Sequence, residues 1–279
     1  MQVNGVEMRS VEDKLQSHGI ETIACDLLDR RAVEALPRIG NVVFMAGFKF
    51  GADANPSMTW AMNVLVPAFV AETFKGSRIV AFSTGCVYPF AAVESGGCTE
   101  DQPPNPPGEY AVSCLGRERM FEYHSRLHGT PGRLFRLNYA IDLRYGVLHD
   151  IALKVLNGKP LDVTMGHVNV IWRGDACAQA LRCLKHCTVP ASPINVSGAE
   201  TLAGRALGAE LGRRIGREPE VTGAEAERSW LTTTSLATKL FGEPLVPLPV
   251  MLDWTADWTA AGRASLNKPT KFEVRSGAY

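Results

Sequence analysis

Apolar runs alternate with helix-like stretches along the first two-thirds of the chain. Runs typical of strands in a buried parallel sheet cover residues 41–47, 77–84, 132–140 and 194–198, and a shorter strand is predicted at 21–28. Between them, residues 29–39, 59–76 and 109–123 have helical periodicity, the second ending at a glycine. This alternation predicts an α/β fold with a doubly wound parallel sheet.

Ligands of doubly wound sheets bind at the carboxyl ends of the strands. Three such ends carry candidate residues: Cys25–Asp26, the MAG sequence at 45–47, and Ser83–Thr84. We therefore expect a binding cleft where these ends meet.

The composition narrows the possible partners of the 279-residue chain. Lys plus Arg and Asp plus Glu number 29 each, so there is no basic surface expected for nucleic acid and no polybasic membrane anchor. No apolar run is long enough to span a bilayer, and no secretory leader is evident, so we expect a cytoplasmic protein. The seven cysteines suit reduced thiols, and Cys183, His186 and Cys187 lack the fourth ligand of a structural zinc site, so no metal is expected.

Thr84 and Tyr110 form a candidate proton-handling pair. Thr84 ends a predicted strand, and Tyr110 begins the predicted helix at 109–123. A phenol with a pKa near 10 in free solution exchanges protons at neutral pH only if its anion is stabilised, and a hydroxyl donor can share the same substrate oxygen. On chemistry alone, the favoured explanation is a surface tyrosine at a helix start and a threonine in a turn.

Several ordered stretches resemble the extended short-chain dehydrogenase/reductases, the NAD-dependent epimerase/dehydratase family. They run from about residue 20 to about 258 and include NVVFMAG, RIVAFSTGCVYP, EYAVSCLGRE, LFRLNYA and VNVIWRGDACAQAL. The resemblance implies a Rossmann-like dinucleotide-binding domain at 1–140. It also implies a smaller mixed α/β, mainly substrate-binding part at 141–279, from which residues about 167–198 return to the sheet.

The resemblance also implies roles for single residues. Thr84 matches the catalytic Ser/Thr and Tyr110 the acid/base, while Asn138 falls near a substrate-contacting Asn with one residue fewer between it and Arg136. The positions that would contact NAD or NADP are Asp26, Leu27, Ala46, Gly47, Asn63, Ser83 and Cys114.

Cys114 is the first departure from the family pattern. The family places a lysine here, which holds the nicotinamide ribose and lowers the pKa of the tyrosine, whereas a neutral thiol brings no charge. Tyr110 is therefore expected to be a weaker base than its relatives. Arg117, seven residues further along the same helix face, is a candidate replacement cation.

The second departure lies at the front of the chain. The family opens with a strand and a glycine-rich turn whose helix N-terminus holds the pyrophosphate, and nothing before residue 21 has that pattern. The chain is thus expected to begin inside the fold and to bind NAD or NADP weakly or not at all. The strand at 41–47 would then have an open edge, to be covered by residues 21–27, by residues 1–8 or by a partner such as a second copy.

Two functions follow from these observations. One is an NAD(P)-dependent oxidoreductase or epimerase acting on a hydroxyl or keto group of a small substrate, sugar-like compounds included. Gly85 and Cys86 stand where dehydratases of the family carry an acidic pair, which argues against elimination chemistry. The alternative is a catalytically impaired or non-catalytic family member that binds a metabolite or a protein through the old cleft.

Overall fold

The computed structural model describes residues 5–268 and 270–277 of the chain, with side chains from residue 11 onward. The α-helices are, in chain order, α1 (Gly5–Ser17), α2 (Arg30–Glu34), α3 (Pro56–Trp60), α4 (Val66–Thr73), α5 (Gly108–His128), α6 (Val147–Asn157), α7 (Arg173–Cys183), α8 (Gly204–Ile215), α9 (Ser235–Phe241) and α10 (Leu248–Ala260). The strands are β1 (Asn41–Phe44), β2 (Arg78–Thr84), β3 (Ala91–Ala92), β4 (Gly132–Leu137), β5 (Ala140–Ile141), β6 (Leu161–Asp162), β7 (His167–Val168), β8 (Ile171–Trp172), β9 (Ser192–Val196), β10 (Leu202–Ala203), β11 (Val221–Thr222) and β12 (Arg228–Ser229).

A four-stranded parallel sheet in the order β1-β2-β4-β9 forms the centre of the fold. Successive side chains of β2 point to opposite faces, as the period of a strand requires. Ile79 and Ala81 face a cluster that includes Phe121 of α5, whereas Val80 packs with Ala180 of α7. Because helices cover both faces, the sheet is doubly wound, as the sequence predicted.

The later part of the chain builds its own apolar core beside the sheet. Helices α6, α8 and α10 pack together there around buried residues such as Ile151 and Leu211, which are 0% exposed. Four short two-stranded pairs border this region, joining β7 with β10, β6 with β11, β3 with β12, and β5 with β8. Strand β9 returns from this part of the chain to the edge of the central sheet, next to β4.

The strand predicted at 21–28 is wrong. Residues 20–26 have no regular structure, and a turn follows them. Cys25 and Leu27 pack against the apolar cluster on one face of the sheet, while Ile23 remains 52% exposed. The segment is therefore held by side-chain packing without ladder hydrogen bonds. Across residues 5–268 and 270–277, β1 pairs with β2 alone, so its other edge is open.

The helix predicted at 59–76 is interrupted. Residues Ala61–Leu65 form a π-helical turn between α3 and α4, and the second helix ends at Thr73 instead of reaching Gly76. A π turn inserts an extra residue per turn and is often found at functional sites. Here it carries Asn63, which is 0% exposed and lies behind the cleft described below. None of the helices in the described part of the chain has the length and apolar character needed to cross a bilayer.

Candidate active site

A cavity of about 310 Å³ opens at the carboxyl ends of β1, β2 and β4. The ends of β1 and β2 are where the sequence predicted a cleft, whereas the third predicted end, Cys25–Asp26, does not line the cavity. Its lining combines polar and apolar side chains from several elements: Met45, Gly47, Phe48, Lys49, Phe82, Ser83, Thr84, Cys86, Tyr110, Arg117, Leu137, Asn138, Tyr139, Ala140, Tyr145, Gly146, Val147 and Thr270. The predicted pair, Thr84 and Tyr110, thus lines one cavity on one side of the sheet.

The end of β2 is fixed by hydrogen bonds on both of its polar residues. Thr84 is 8% exposed, and its Oγ1 accepts a bond of 3.2 Å from the Cys86 amide, which sets the turn after the strand. Ser83 donates from Oγ to the carboxylate of Glu118 at 2.5 Å. Glu118 in turn pairs with Arg136 of β4 at 2.6 Å, so a buried ion pair ties the strand end to α5.

Tyr110 lies in the first turn of α5, directly after the proline-rich loop that ends at Pro107. Burial raises the pKa of its phenol well above the usual value, and the neighbouring thiols of Cys114 and Cys86 raise it further. The positive charge of Arg117 lowers that pKa but does not reverse the change. The phenol therefore holds its proton at neutral pH and suits hydrogen-bond donation better than proton removal.

Cys114 occupies the position one helical turn after Tyr110 and is 0% exposed. Burial raises the pKa of the thiol to about 11, so the group is neutral at physiological pH. Its side chain is hydrogen-bonded to that of Tyr110. The thiol therefore contacts the phenol without supplying the charge that a lysine would bring.

Arg117 forms the back wall of the cavity and is 6% exposed. Its Nη1 donates to the Phe82 carbonyl at 2.8 Å and its Nη2 to Asn63 Oδ1 at 2.6 Å. Asn63 also bonds both the amide and the carbonyl of Phe48, so the π turn, α5 and the loop after β1 are linked. Gly47 makes room for this arrangement, because a Cβ built there would lie 2.3 Å from Arg117 Nη2.

Asn138 and Tyr139 follow β4 and enter the cavity from the third strand end. Asn138 is 2% exposed, and its Nδ2 donates to the carbonyl of Trp230 at 3.2 Å. Tyr139 has a φ of +40°, an unusual conformation for a non-glycine residue, and its buried hydroxyl has no partner within the described structure. Such unsatisfied buried polar groups are rare in folded proteins.

The remaining predicted residues are divided between the cavity and its surroundings. Ser83 and Gly47 line the cavity, and Cys114 and Asn63 lie buried behind it. Asp26, Leu27 and Ala46 do not line the cavity. Asp26 is exposed and accepts a bond from the Leu28 amide at 3.0 Å, as a turn residue does, whereas Leu27 and Ala46 pack against the apolar cluster under β1.

Lys49, Tyr139 and Tyr145 line the cavity but were not among the predicted site residues. Lys49 follows β1 by five residues, in a loop whose path no periodicity reveals. The only sequence signal for it was its closeness to the strand end at Gly47. Tyr139 and Tyr145 flank the short strand β5, which is too brief to leave a recognisable pattern.

The sheet is doubly wound, and polar residues from the ends of three strands meet at one cleft. Both features are typical of α/β folds of the dinucleotide-binding type. The sequence model of the NAD dependent epimerase/dehydratase family matches residues 1–163, which is more than half of the chain. The chain belongs to that family. A comparison with curated protein sequences gave no match.

Solved structures share this fold at low sequence identity. UDP-glucose 4-epimerase of Thermus thermophilus, crystallised with NAD, has a TM-score of 0.71 at 21% identity, over 86% of this chain and 84% of that one. A short-chain dehydrogenase/reductase of Agrobacterium tumefaciens with bound NAD has a TM-score of 0.75 at 19% identity, and the match covers 91% of this chain and 93% of that one. UDP-glucuronic acid 4-epimerase of Bacillus cereus has a TM-score of 0.75 at 18% identity, and the match covers 91% of this chain and 86% of that one.

Proposed function

We propose that this protein is an NAD(P)-dependent oxidoreductase or epimerase acting on a hydroxyl or keto group of a small substrate. The observation that carries the proposal is the meeting of Thr84, Tyr110 and Asn138, from three different strand ends or helix starts, in one cavity. Family membership supports it, as do neighbours whose structures contain NAD or NADPH.

In this function Thr84 and Tyr110 contact the same substrate oxygen. The Thr84 hydroxyl holds that oxygen by a hydrogen bond, and the Tyr110 phenol gives it a proton during reduction or takes one during oxidation. Asn138 fixes the orientation of the substrate. A bound nicotinamide would supply or accept the hydride.

The residues around the cavity fit the nicotinamide end of a dinucleotide. Gly47 and Ser83 line that end, and Asn63 and Cys114 support it from behind. Asp26, Leu27 and Ala46 remain our candidates for the rest of the cofactor, including the adenine. The sequence before β1 contains no glycine-rich turn for the pyrophosphate, so we expect NAD or NADP to bind weakly, and turnover is therefore measured at high cofactor concentration. A fluorescence titration with NADH that gave a micromolar Kd would contradict this expectation.

The size of the cavity favours a small substrate or the sugar part of a larger one. A volume of about 310 Å³ lies at the lower end of ligand sites. The epimerases of Thermus thermophilus and Bacillus cereus act on UDP-sugars according to their names. We propose a compact polyol, hydroxy acid or sugar as the substrate here, bound by a cytoplasmic protein that forms a homodimer.

The test is turnover of a panel of small hydroxy and keto compounds at saturating cofactor. Tyr110→Phe should lower the rate by about 10²- to 10⁴-fold, the usual contribution of a general acid or base. Tyr123→Phe is the matched control, because Tyr123 lies on the same helix and is 57% exposed. Equal rates for the two variants would refute the proposed role of Tyr110.

A non-catalytic binding protein is the second candidate, and the buried thiol of Cys114 favours it. Beside that thiol the phenol of Tyr110 has a raised pKa, which weakens it as a base. In that case a ligand would still bind in the cavity of Tyr110→Phe, weakened at most by the loss of one hydrogen bond, and no compound of the panel would be turned over at any cofactor concentration.

A further inference from the structure

Lys49 brings a second ionisable group to the catalytic corner of the cavity. It lies in the loop after β1 and lines the same cavity as Thr84 and Tyr110. Its Nζ is 5.6 Å from the centre of the Tyr110 ring and 5.8 Å from that of Phe50. The amine therefore lies over the ring of Tyr110, and it comes from the loop after β1, whereas Cys114 lies on the same helix as Tyr110.

Arg117, the other candidate cation near the phenol, is already engaged in hydrogen bonds. Both terminal nitrogens of Arg117 are engaged, one with the Phe82 carbonyl and one with Asn63 Oδ1. A guanidinium also keeps its proton throughout the accessible pH range, so it can adjust a neighbour's charge but cannot take up or release a proton. A lysine amine can do both.

We propose that Lys49 is the proton reservoir of this cleft, its amine exchanging a proton with the Tyr110 phenol in each turnover. This inference rests on the function proposed above. During oxidation, the substrate hydroxyl passes its proton to the Tyr110 oxygen while the phenol proton moves to the neutral amine of Lys49. The electron pair of the substrate C–H bond leaves as hydride for an oxidised nicotinamide dinucleotide, and a carbonyl forms. The ammonium then returns its proton to water, and reduction follows the reverse path.

This relay removes the difficulty posed by the buried phenol. Because the pKa of Tyr110 is raised, a free phenolate is costly, but a phenol that gains one proton as it loses another never becomes an anion. The amine has the complementary property, since burial lowers the pKa of Lys49. Its proton affinity thus moves toward the range in which a group can both accept and donate near neutral pH.

Several ionisable groups around the cavity affect the pKa of Lys49 or of Tyr110. The groups that act on Lys49 or on Tyr110 are Cys86, Cys114, Arg117, Asp150 and Lys271. Lys271 lowers the pKa of Lys49, while Asp150 and the two thiols raise it by less than burial lowers it. Burial also raises the pKa of the other cavity phenols, Tyr139 and Tyr145, so both stay neutral at the pH values of interest.

The first test measures the protonation of Lys49 directly, without turnover. In protein labelled with ¹³C-lysine, the Cε signal absent from Lys49→Met identifies Lys49, and its shift is followed against pH. The midpoint should lie below the ordinary value for a lysine, because burial disfavours the charged ammonium. Tyr110→Phe should shift the midpoint, because the relay makes the phenol oxygen the proton partner of the amine, and phenylalanine keeps the ring but lacks that oxygen. A midpoint at or above the ordinary value for a lysine, or one unmoved by Tyr110→Phe, would overturn the proposal.

The second test follows turnover against pH. Wild-type oxidation should rise with pH through the Lys49 midpoint. In Lys49→Met this rise of the rate with pH (the basic limb of the pH profile) should be absent, and kcat should be about 10²-fold lower. The limb should also be absent in Lys49→Arg, because arginine keeps a charge but cannot accept a proton. Lys268→Met is the matched control, since Lys268 is exposed and contacts the same Phe50 ring from 5.5 Å.

The two tests separate the relay from the proposed function. An unchanged limb in Lys49→Met or Lys49→Arg overturns the relay while the enzyme remains an oxidoreductase or epimerase. If wild type turns over no compound of the panel and Lys49 still titrates as expected with a response to Tyr110→Phe, the proposed function fails and the pairing of the two side chains stands.

Discussion

Gly47 is the residue at which the backbone comes closest to the charged wall of the cavity. An added Cβ would lie 2.3 Å from Arg117 Nη2 and 3.0 Å from Asn63 Oδ1. Gly47→Ala should therefore displace the guanidinium and break its bonds to Asn63 and Phe82, at a cost of about 1–3 kcal/mol in the free energy of unfolding. Urea denaturation measures the change.

Gly40→Ala is the control for that substitution. Nothing lies within 4 Å of a Cβ at Gly40, and its φ is not in the left-handed region. The control should leave stability unchanged or raise it slightly, because alanine has less conformational freedom to lose on folding. If both variants unfold at the same urea concentration, the close approach of Arg117 to Gly47 is not a feature of the protein in solution.

Residue-scale prediction succeeded where a residue sits at the end of a long element. Thr84 ends a seven-residue strand and Tyr110 lies in the first turn of a 21-residue helix. The family resemblance covers both of these long elements, so both residues could be placed at the cleft, while their catalytic roles remain predictions. Lys49 and Tyr139 could not, because each lies in a connection whose course depends on contacts made elsewhere in the chain. The suggestion that Arg117 compensates for Cys114 remains a prediction, although its charge does lower the pKa of Tyr110.

Helix α5 contributes two residues to the cavity lining and is tied to the central sheet by a buried ion pair. It bears Tyr110 and Arg117, and its Glu118 forms the buried ion pair with Arg136, whose side chains are 1% and 5% exposed. Glu118→Gln would leave the Arg136 charge buried without a counter-ion. We expect a loss of about 3 kcal/mol in stability, measured by urea denaturation.

Glu122→Gln on the same helix is the matched control. Glu122 pairs with Arg119 and Arg126, both more than half exposed, and such surface pairs contribute little. The control should cost less than about 1 kcal/mol. Comparable losses in the two variants would mean that the buried pair does not hold α5 to the sheet.

At the scale of elements, apolar strands were predicted well and interruptions were not. Three of the four strands of the central sheet fall within the predicted runs, and β9 overlaps the run at 194–198 but begins two residues earlier, at Ser192. All four lie between two helical layers. Residues 21–28 have a similar apolar pattern but pair with no strand. Their side chains Cys25 and Leu27 instead pack against the apolar cluster on one face of the sheet. The π turn at Ala61–Leu65 depends on the bonds of Asn63 to a distant loop, which no local pattern encodes.

Buried tyrosines make the whole molecule sensitive to alkali. Burial raises the pKa of both Tyr88 and Tyr145 to about 12, against about 10 in an unfolded chain. Above pH ~10 the unfolded state loses these protons first, so the native state binds more protons and stability falls as pH rises. Each residue should contribute a loss of about 2–3 kcal/mol by pH ~12.

Urea denaturation at increasing pH measures this loss. Tyr145→Phe should fall less steeply than wild type above pH ~10, because one of the groups that titrates on unfolding is gone. Parallel curves for the two proteins would show that Tyr145 ionises as easily in the folded state as in the unfolded one.

The central claim at the scale of the whole molecule is that the sheet brings Thr84 and Tyr110 to one substrate oxygen. A double-mutant cycle on kcat/KM tests it most directly, using Thr84→Val, Tyr110→Phe and the combined variant. If both groups act on the same oxygen, the combined variant should lose little more than the worse single variant. Fully additive losses, or a Tyr110→Phe rate equal to wild type, would contradict the account.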